Sequence, residues 1–138
     1  MCDKKKIAVL IPCYNEALTI EKVIKDFQEI LPSANIYVFD NNSTDRTAAI
    51  AKSTKAEVIF SPRKGKGNVV QHMFRIINAD IYVLIDGDNT YPVSELPKML
   101  SHYKNNDLDI VVGMRLKDSR GNAFRLFHKF GNKLISNI

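Results

Sequence analysis

The chain has 138 residues, of which 45% are hydrophobic and 25% charged, enough to bury one substantial core and too mixed for a disordered or fibrous chain. Its net charge of +5 suits an anionic ligand, a nucleic acid or a membrane surface, or is an ordinary solubility surplus; taken with the motifs below, no nucleic-acid partner is expected. No stretch is apolar for the ~20 residues of a membrane span, and the basic start followed by an apolar run broken at Pro12 does not read as a signal peptide.

In chain order, residues 6–12 (KIAVLIP) form a short apolar run ended by proline, which predicts a buried strand. Residues 16–31 place Ile20, Val23, Ile24, Phe27, Ile30 and Leu31 on one helical stripe, with Asn15 as the expected cap and Pro32 just past the end. A second strand is expected at 34–40, then a helix at 43–53 capped by Ser43 or Thr44. A third strand is expected at 56–61, a helix at 67–79 and a fourth strand at 81–86. A helix at 93–106 follows, with Pro97 in its first turn, where proline is best tolerated. A fifth strand is expected at 108–115, and the chain again reads as helical from Phe124 to Ile138. Strand and helix alternate, and several strands are continuous apolar runs. That pattern predicts an α/β fold: a mostly parallel sheet with helices on both faces, Rossmann-like, with its ligand outside the carboxyl ends of the strands.

Those strand ends carry most of the chemically able residues. They read PCYNE after the first strand, DNNSTD after the second, SPRKGKGN after the third, DGDNTY after the fourth and GMR after the fifth. Asp86 and Asp88 flank Gly87, which permits a tight turn. Two carboxylates so close repel when both ionise, and a hard divalent cation removes the conflict. Asp, Gly and Asn are equally the usual residues of a plain turn. Residues 63–68 (RKGKGN) combine glycine, positive charge and a following helix N-terminus, which suits a phosphate. The bland alternative is a solvated basic loop. The stretch is neither a G-K-[ST] loop nor a full G-x-G-x-x-G, since Val70 holds the third glycine's place. Asp40 is placed to accept from a base or ribose hydroxyl, or simply to start a turn. Cys2 and Cys13 fit no zinc spacing, and His72, His102 and His128 lie far apart. A cation grip, a basic loop and a base-reading carboxylate on one rim together suit a nucleotide diphosphate.

The segments IPCYNE, DNNSTDRT, KGKGN, DGDNTYP and VVGMR stand in that order across residues 7–115. They resemble the nucleotide-sugar-binding half of family 2 glycosyltransferases of the GT-A fold, nearest the dolichol-phosphate mannose synthase-like, polyprenyl-phosphate branch. The resemblance implies that Pro12, Tyr14 and Glu16 line the nucleotide pocket and that Asp40 meets the nucleobase. It puts Lys66 and Gly67 near the base, ribose or diphosphate. Asp86 would face the ribose and sugar, and Asp88 would be the main ligand of Mg2+ or Mn2+, with Asp86 its companion. Arg115 would lie near the diphosphate or the acceptor phosphate and joins Asp86 and Asp88 in the implied catalytic set. The branch often carries a glutamine two residues past the second aspartate, where this chain has Thr90.

The implied reaction is inverting transfer from a GDP- or UDP-sugar to a lipid phosphate or a saccharide. A lipid phosphate is already an anionic nucleophile, whereas a sugar hydroxyl needs a base. Asp118 is the one carboxylate downstream of Arg115. The domain expected is residues 1–138, incomplete at the C-terminus, with 124–138 beginning the acceptor-side helix. The apolar and basic face of that helix would meet a membrane, a missing half or another copy of the chain. The expected location is the cytoplasm, including the cytoplasmic face of a membrane. The alternative is a non-catalytic nucleotide-sugar-binding fragment or partner subunit.

Overall fold

The computed structural model describes residues 5–113. The chain divides into two compact units, Met1–Pro97 and Lys98–Ile138. The first unit holds strands β1 (Ile7–Cys13), β2 (Asn35–Asp40), β3 (Glu57–Phe60) and β4 (Ile81–Leu84), alternating with helices α1 (Ile20–Ile30), α2 (Thr47–Ser53) and α3 (Lys66–Ile76). A short 3-10 turn at Val93–Glu95 leads into α4 (Leu96–Asn105), most of which belongs to the second unit. No helix among the described residues is long and apolar enough to cross a membrane.

All strand pairings among the described residues are parallel, in the order β3-β2-β1-β4. The chain builds outward from β1 through β2 to β3, then returns to the other side of β1 for β4. The direction of winding therefore reverses between β1 and β4, and a crevice opens there at the carboxyl ends of open α/β sheets.

Alternation along the strands divides the core between two faces. Ala8 and Leu10 of β1 and Phe39 of β2 join Val69, Met73 and Ile77 of the α3 segment in one cluster. Val9, Ile11 and Val38 point to the other face and are fully buried. The α1 stripe covers that side. Its residues Ile20, Val23, Ile24 and Phe27 are buried, and Ile20 reaches the Cys13 end of β1 beneath Gly87. The expectation of a parallel sheet with helices on both faces is met.

Several boundaries differ from the sequence reading. Asn15 does not cap α1: its φ is 55°, and its side-chain oxygen accepts from the backbone N–H groups of Thr44 (2.8 Å) and Asp45 (3.3 Å). The helix begins after Thr19. Neither Ser43 nor Thr44 caps α2, because the Ser43 hydroxyl accepts from Asn15 N–H and the Thr44 hydroxyl donates to the Asn15 side chain. That helix starts at Thr47, whose N–H donates to Asp45 Oδ1 at 2.9 Å. Helix α3 ends three residues early. The Tyr82 hydroxyl donates to Ile77 O and accepts from Ala79 N–H, which holds 77–79 in an open turn.

No strand forms over residues 108–113. A strand needs a ladder partner for its backbone groups, none is present among the described residues, and Ile110 and Val112 are exposed. The expectations for Arg115, Asp118 and the 124–138 helix lie outside the described residues.

Phe27 is a large α1 side chain with almost no exposed surface. Phe27→Ala is expected to cost about 3–5 kcal/mol of unfolding free energy, read by denaturant titration. A loss below about 1 kcal/mol would contradict the placement of α1 against the sheet.

Candidate functional site

The carboxyl ends of the four strands bring the predicted rim residues onto one edge of the sheet. At the end of β1, Pro12 is half-buried beside Phe39 of β2, Cys13 is buried, and Tyr14 is 56% exposed. Glu16 follows, half-buried, with its N–H donating to the Thr47 hydroxyl at 2.8 Å. At the end of β2, Asp40 is buried in register with Cys13 and accepts from Ser43 N–H at 3.3 Å. The turn role expected of Asp40 is thus observed.

The basic loop is clasped to the end of β2 by two neighbouring asparagines, of which Asn42 donates to Ser61 O and Pro62 O, both at 3.2 Å. Asn41 is buried, donates through Nδ2 to Ser61 O (3.0 Å) and Arg63 O (2.7 Å), and accepts through Oδ1 from Gly65 N–H (2.9 Å). Gly65 has φ 109°, ψ 137°, a conformation that only glycine adopts without strain. Lys66 and Gly67 open α3, exposed on the rim. A Cβ on Gly67 would meet nothing within 4 Å, so a ligand has room to approach.

Lys66 Nζ and Asp86 Oδ1 form an ion pair at 2.5 Å, linking the basic loop to the segment after β4. With the lysine 62% exposed, the pair contributes about 1 kcal/mol or less to stability. Its importance is positional. Two residues on, Asp88 Oδ1 accepts from both the N–H (3.0 Å) and the hydroxyl (2.7 Å) of Thr90. Thr90, standing where the branch often has glutamine, therefore orients this carboxylate. Both aspartates of the sequence reading are present, one committed to a lysine and the other to a turn.

The acidic side of the rim is self-repelling. Burial raises the carboxyl pKa of Glu16 above its ordinary value, and the charges of Asp88, Asp86 and Asp45 add to this against a lowering hydrogen bond with Thr19. The Cys13 thiol is pushed far up by burial first, then by Glu16, Asp40, Asp86 and Asp45. Cys13 is thus a protonated packing group.

The donor chemistry fits Mg2+ or Mn2+, which prefer hard oxygens. Asp88 would hold the ion through Oδ2, since Thr90 engages Oδ1. Asp86 has one oxygen on Lys66 and a second to offer. No group of three or more His, Cys, Asp or Glu is disposed to enclose an ion among the described residues. An ion of the Mg2+ type needs only one or two carboxylates when substrate phosphates complete its shell.

A cavity of about 520 Å³ lies beside this cluster, between Lys22, Asp26, Glu29 and Ile30 of α1 and residues 89–94. It includes none of the predicted ligand-binding residues, so the rim cluster is the better-supported site. The structure thus groups Glu16, Asp86, Asp88 and Lys66, with Asp40 and Cys13 behind them. Asn41, Thr19 and Thr47 had no assigned role in the sequence reading. The sequence signal for them was thin: the paired asparagines 41–42, and Asn15, Asn42 and Asn89, all three with positive φ.

Comparison with known proteins agrees with this geometry. The profile of Glycosyl transferase family 2 matches residues 8–136. Protein RfbJ of Shigella flexneri is 53% identical over 123 residues, covering 89% of this chain and 95% of that protein. Glycosyltransferase AglJ of Haloferax volcanii is 35% identical over 131 residues, 94% of this chain and 43% of that one. The dolichol-phosphate mannosyltransferase of Pyrococcus furiosus is 30% identical over 117 residues, 80% of this chain and 33% of the enzyme. The chain therefore spans less than half the length of those two relatives. Among solved structures, glucosyl-3-phosphoglycerate synthase of Mycobacterium tuberculosis, in complex with Mn2+, UDP and phosphoglyceric acid, superposes with a TM-score of 0.63 at 30% identity. That match covers 70% of this chain and 38% of the other.

Two outcomes follow for the site. Asn41→Ala is expected to cost about 1–3 kcal/mol and to speed tryptic cleavage after Arg63 and Lys64, and an unchanged cleavage rate would show that Asn41 does not hold the loop. Because the folded-state pKa of Glu16 is raised, its contribution is most favourable below the unfolded value and is lost as pH rises through the folded one. Glu16→Gln should therefore raise the melting temperature at neutral pH in chelator, with the gain shrinking toward pH 4. A gain that grows on acidification would reverse the assigned sign.

Proposed function

Since the chain belongs to glycosyl transferase family 2, we propose that its rim site binds a nucleotide diphosphate sugar with a divalent cation and serves inverting transfer of the sugar to an acceptor. The observation that carries this reading is the Lys66–Asp86 pair beside Asp88, at the crevice between β1 and β4. A basic loop and a carboxylate pair meet there without intervening structure.

The placement of these residues on the rim supports the following roles. Lys66 and the first N–H groups of α3 offer positive charge to the diphosphate. Gly67 leaves space for its approach. Asp40 and Tyr14, with Pro12, form the side toward the nucleoside. Asp86 faces the ribose and sugar while orienting Lys66. Asp88, fixed by Thr90, holds the cation with Glu16 close behind. Bound Mg2+ or Mn2+ would supply Lewis-acid stabilisation of the charge that develops on the departing diphosphate. The Mycobacterium synthase has been crystallised with Mn2+, UDP-glucose and phosphoglyceric acid, and also with Mg2+ and UDP. Those complexes favour a uridine donor for this chain and either ion.

A polyprenyl phosphate is the acceptor favoured by the likeness to the dolichol-phosphate enzyme. Such an acceptor would bring the chain to a membrane surface and needs no strong base. Arg115 is assigned to the diphosphate or the acceptor phosphate from its sequence motif alone.

Calorimetry with UDP and GDP, with and without Mn2+, tests the donor site. Tight binding should require Mn2+. Asp88→Ala should abolish the metal-dependent part, and Lys66→Ala should weaken the diphosphate about tenfold, roughly 1.4 kcal/mol, while leaving uridine itself unchanged. Nucleotide binding indifferent to both substitutions would refute the site. Incubation of labelled donor sugar with polyprenyl phosphate or an oligosaccharide then reads transfer. Binding without transfer to either acceptor class would favour the alternative of a non-catalytic nucleotide-sugar binder.

A further inference from the structure

We propose that Cys13 and Thr19 are positioning residues that seat Gly87 and thereby set the placement of Asp86 and Asp88 on the rim. The inference rests on the reading of those two aspartates as the donor-side grip, and it adds what holds them.

Gly87 is buried between its two half-buried aspartate neighbours. Glycine at such a place is commonly needed for a left-handed backbone. Here it is not: among the described glycines only Gly65 has positive φ. The need at Gly87 is for room. A Cβ added there would sit 2.6 Å from Cys13 Sγ, closer than real Cβ contacts come, with Ile20 Cδ1 at 3.4 Å and Glu16 Cγ at 3.6 Å on its other sides. The sulfur belongs to the last residue of β1, is 3% exposed, and has little free volume into which to swing.

The second restraint acts on the carbonyl. The Thr19 hydroxyl donates to Gly87 O at 2.7 Å. Thr19 is the residue before α1, and its hydroxyl makes no capping bond to that helix. Its stronger side-chain bond is the one to Gly87, against a longer contact of 3.4 Å to Glu16 O. Gly87 is thus gripped on its α-carbon face by the end of β1 and through its oxygen by the start of α1. The peptide units on either side carry Asp86 and Asp88. Shifting Gly87 would move both carboxylates relative to Lys66 and Thr90.

This arrangement predicts a suppressor. Gly87→Ala should lower the melting temperature of the ligand-free chain and weaken Mn2+-dependent UDP binding about tenfold. Adding Cys13→Ala removes the clashing sulfur, so the double variant should recover most of both losses relative to Cys13→Ala alone. Thr19→Val should weaken Mn2+-dependent UDP binding, whereas Thr19→Ser, which keeps the hydroxyl, should bind as the wild type does. Additive losses in the Cys13/Gly87 cycle, or a Gly87→Ala variant as stable as the wild type, would overturn the seat. Recovery of stability without recovery of UDP binding would overturn its role in placing the aspartates. A wild-type chain that binds neither UDP nor GDP with Mn2+ would refute the donor-site reading and, with it, that placing role. The melting cycle would still decide whether Cys13 seats Gly87.

Discussion

Strand β1 carries a parallel partner on each side, and the arrangement of the rim depends on that ladder. Its first buried stretch, Ala8–Ile11, has no exposed surface, so the strand has no freedom to shift. The pairing also continues past the neighbouring strands. Asn41 N–H donates to Cys13 O and Ile85 N–H donates to Leu10 O, which ties the starts of two functional loops to β1. Glu16, Asp40 and Asp86 come from segments more than twenty residues apart, yet each is referenced to one buried strand. Hydrophobic burial secures the strand, and backbone hydrogen bonds carry its position outward to the loops.

Beyond the ladder, side chains take over where backbone pairing stops. Asn15 binds the 44–45 turn, Asn41 binds the 61–65 loop, and Thr47 receives the N–H of Glu16 while donating to Asp45. Each replaces a backbone partner that the irregular rim lacks. Buried side-chain nitrogen and oxygen atoms without a partner are absent among the described residues, as a packed polar network requires. A rim fixed in this way presents its charges before any ligand arrives, which lowers the cost of ordering them on binding.

The order and type of the elements were legible because they are local. Apolar runs in 6–12, 34–40 and 81–86 and the single stripe of α1 are patterns within one segment, and β1, β2, β4 and α1 formed there. The starts of α1 and α2 were not legible. Asn15, Ser43 and Thr44 are all competent caps, and each was recruited by a neighbour about thirty residues away. The stretch 108–113 had the composition of a strand, but composition does not supply a ladder partner, and none is present among the described residues. At the rim, the sequence pointed to Asp86, Asp88 and the basic loop, while the Lys66–Asp86 pair joins residues twenty apart and left no sequence trace. The glycine between the aspartates was visible, but its reason was not. Turn geometry was the natural reading, and only the neighbouring sulfur shows that the constraint is volume.

The distribution of charge gives the site its logic. Arg63, Lys64 and Lys66 follow β3 and form a basic half of the rim, whereas Glu16 follows β1, Asp86 and Asp88 follow β4, and these form an acidic half. Among the described residues, Lys66 and Asp86 are the ion pair that joins the two halves. A purely anionic ligand would be drawn to the basic half and repelled by the acidic half. A purely cationic one would meet the reverse. A ligand that is anionic at one end and enters with a divalent cation satisfies both halves at once. Glu16 holds its proton more tightly than an ordinary glutamate first because it is partly buried and then because it shares the acidic half with Asp88 and Asp86, with the Thr19 hydrogen bond acting against the shift. The proposal of a diphosphate bound with a cation therefore rests on the motif at 86–88 together with Glu16, which adds negative charge beside it, and on the basic loop opposite.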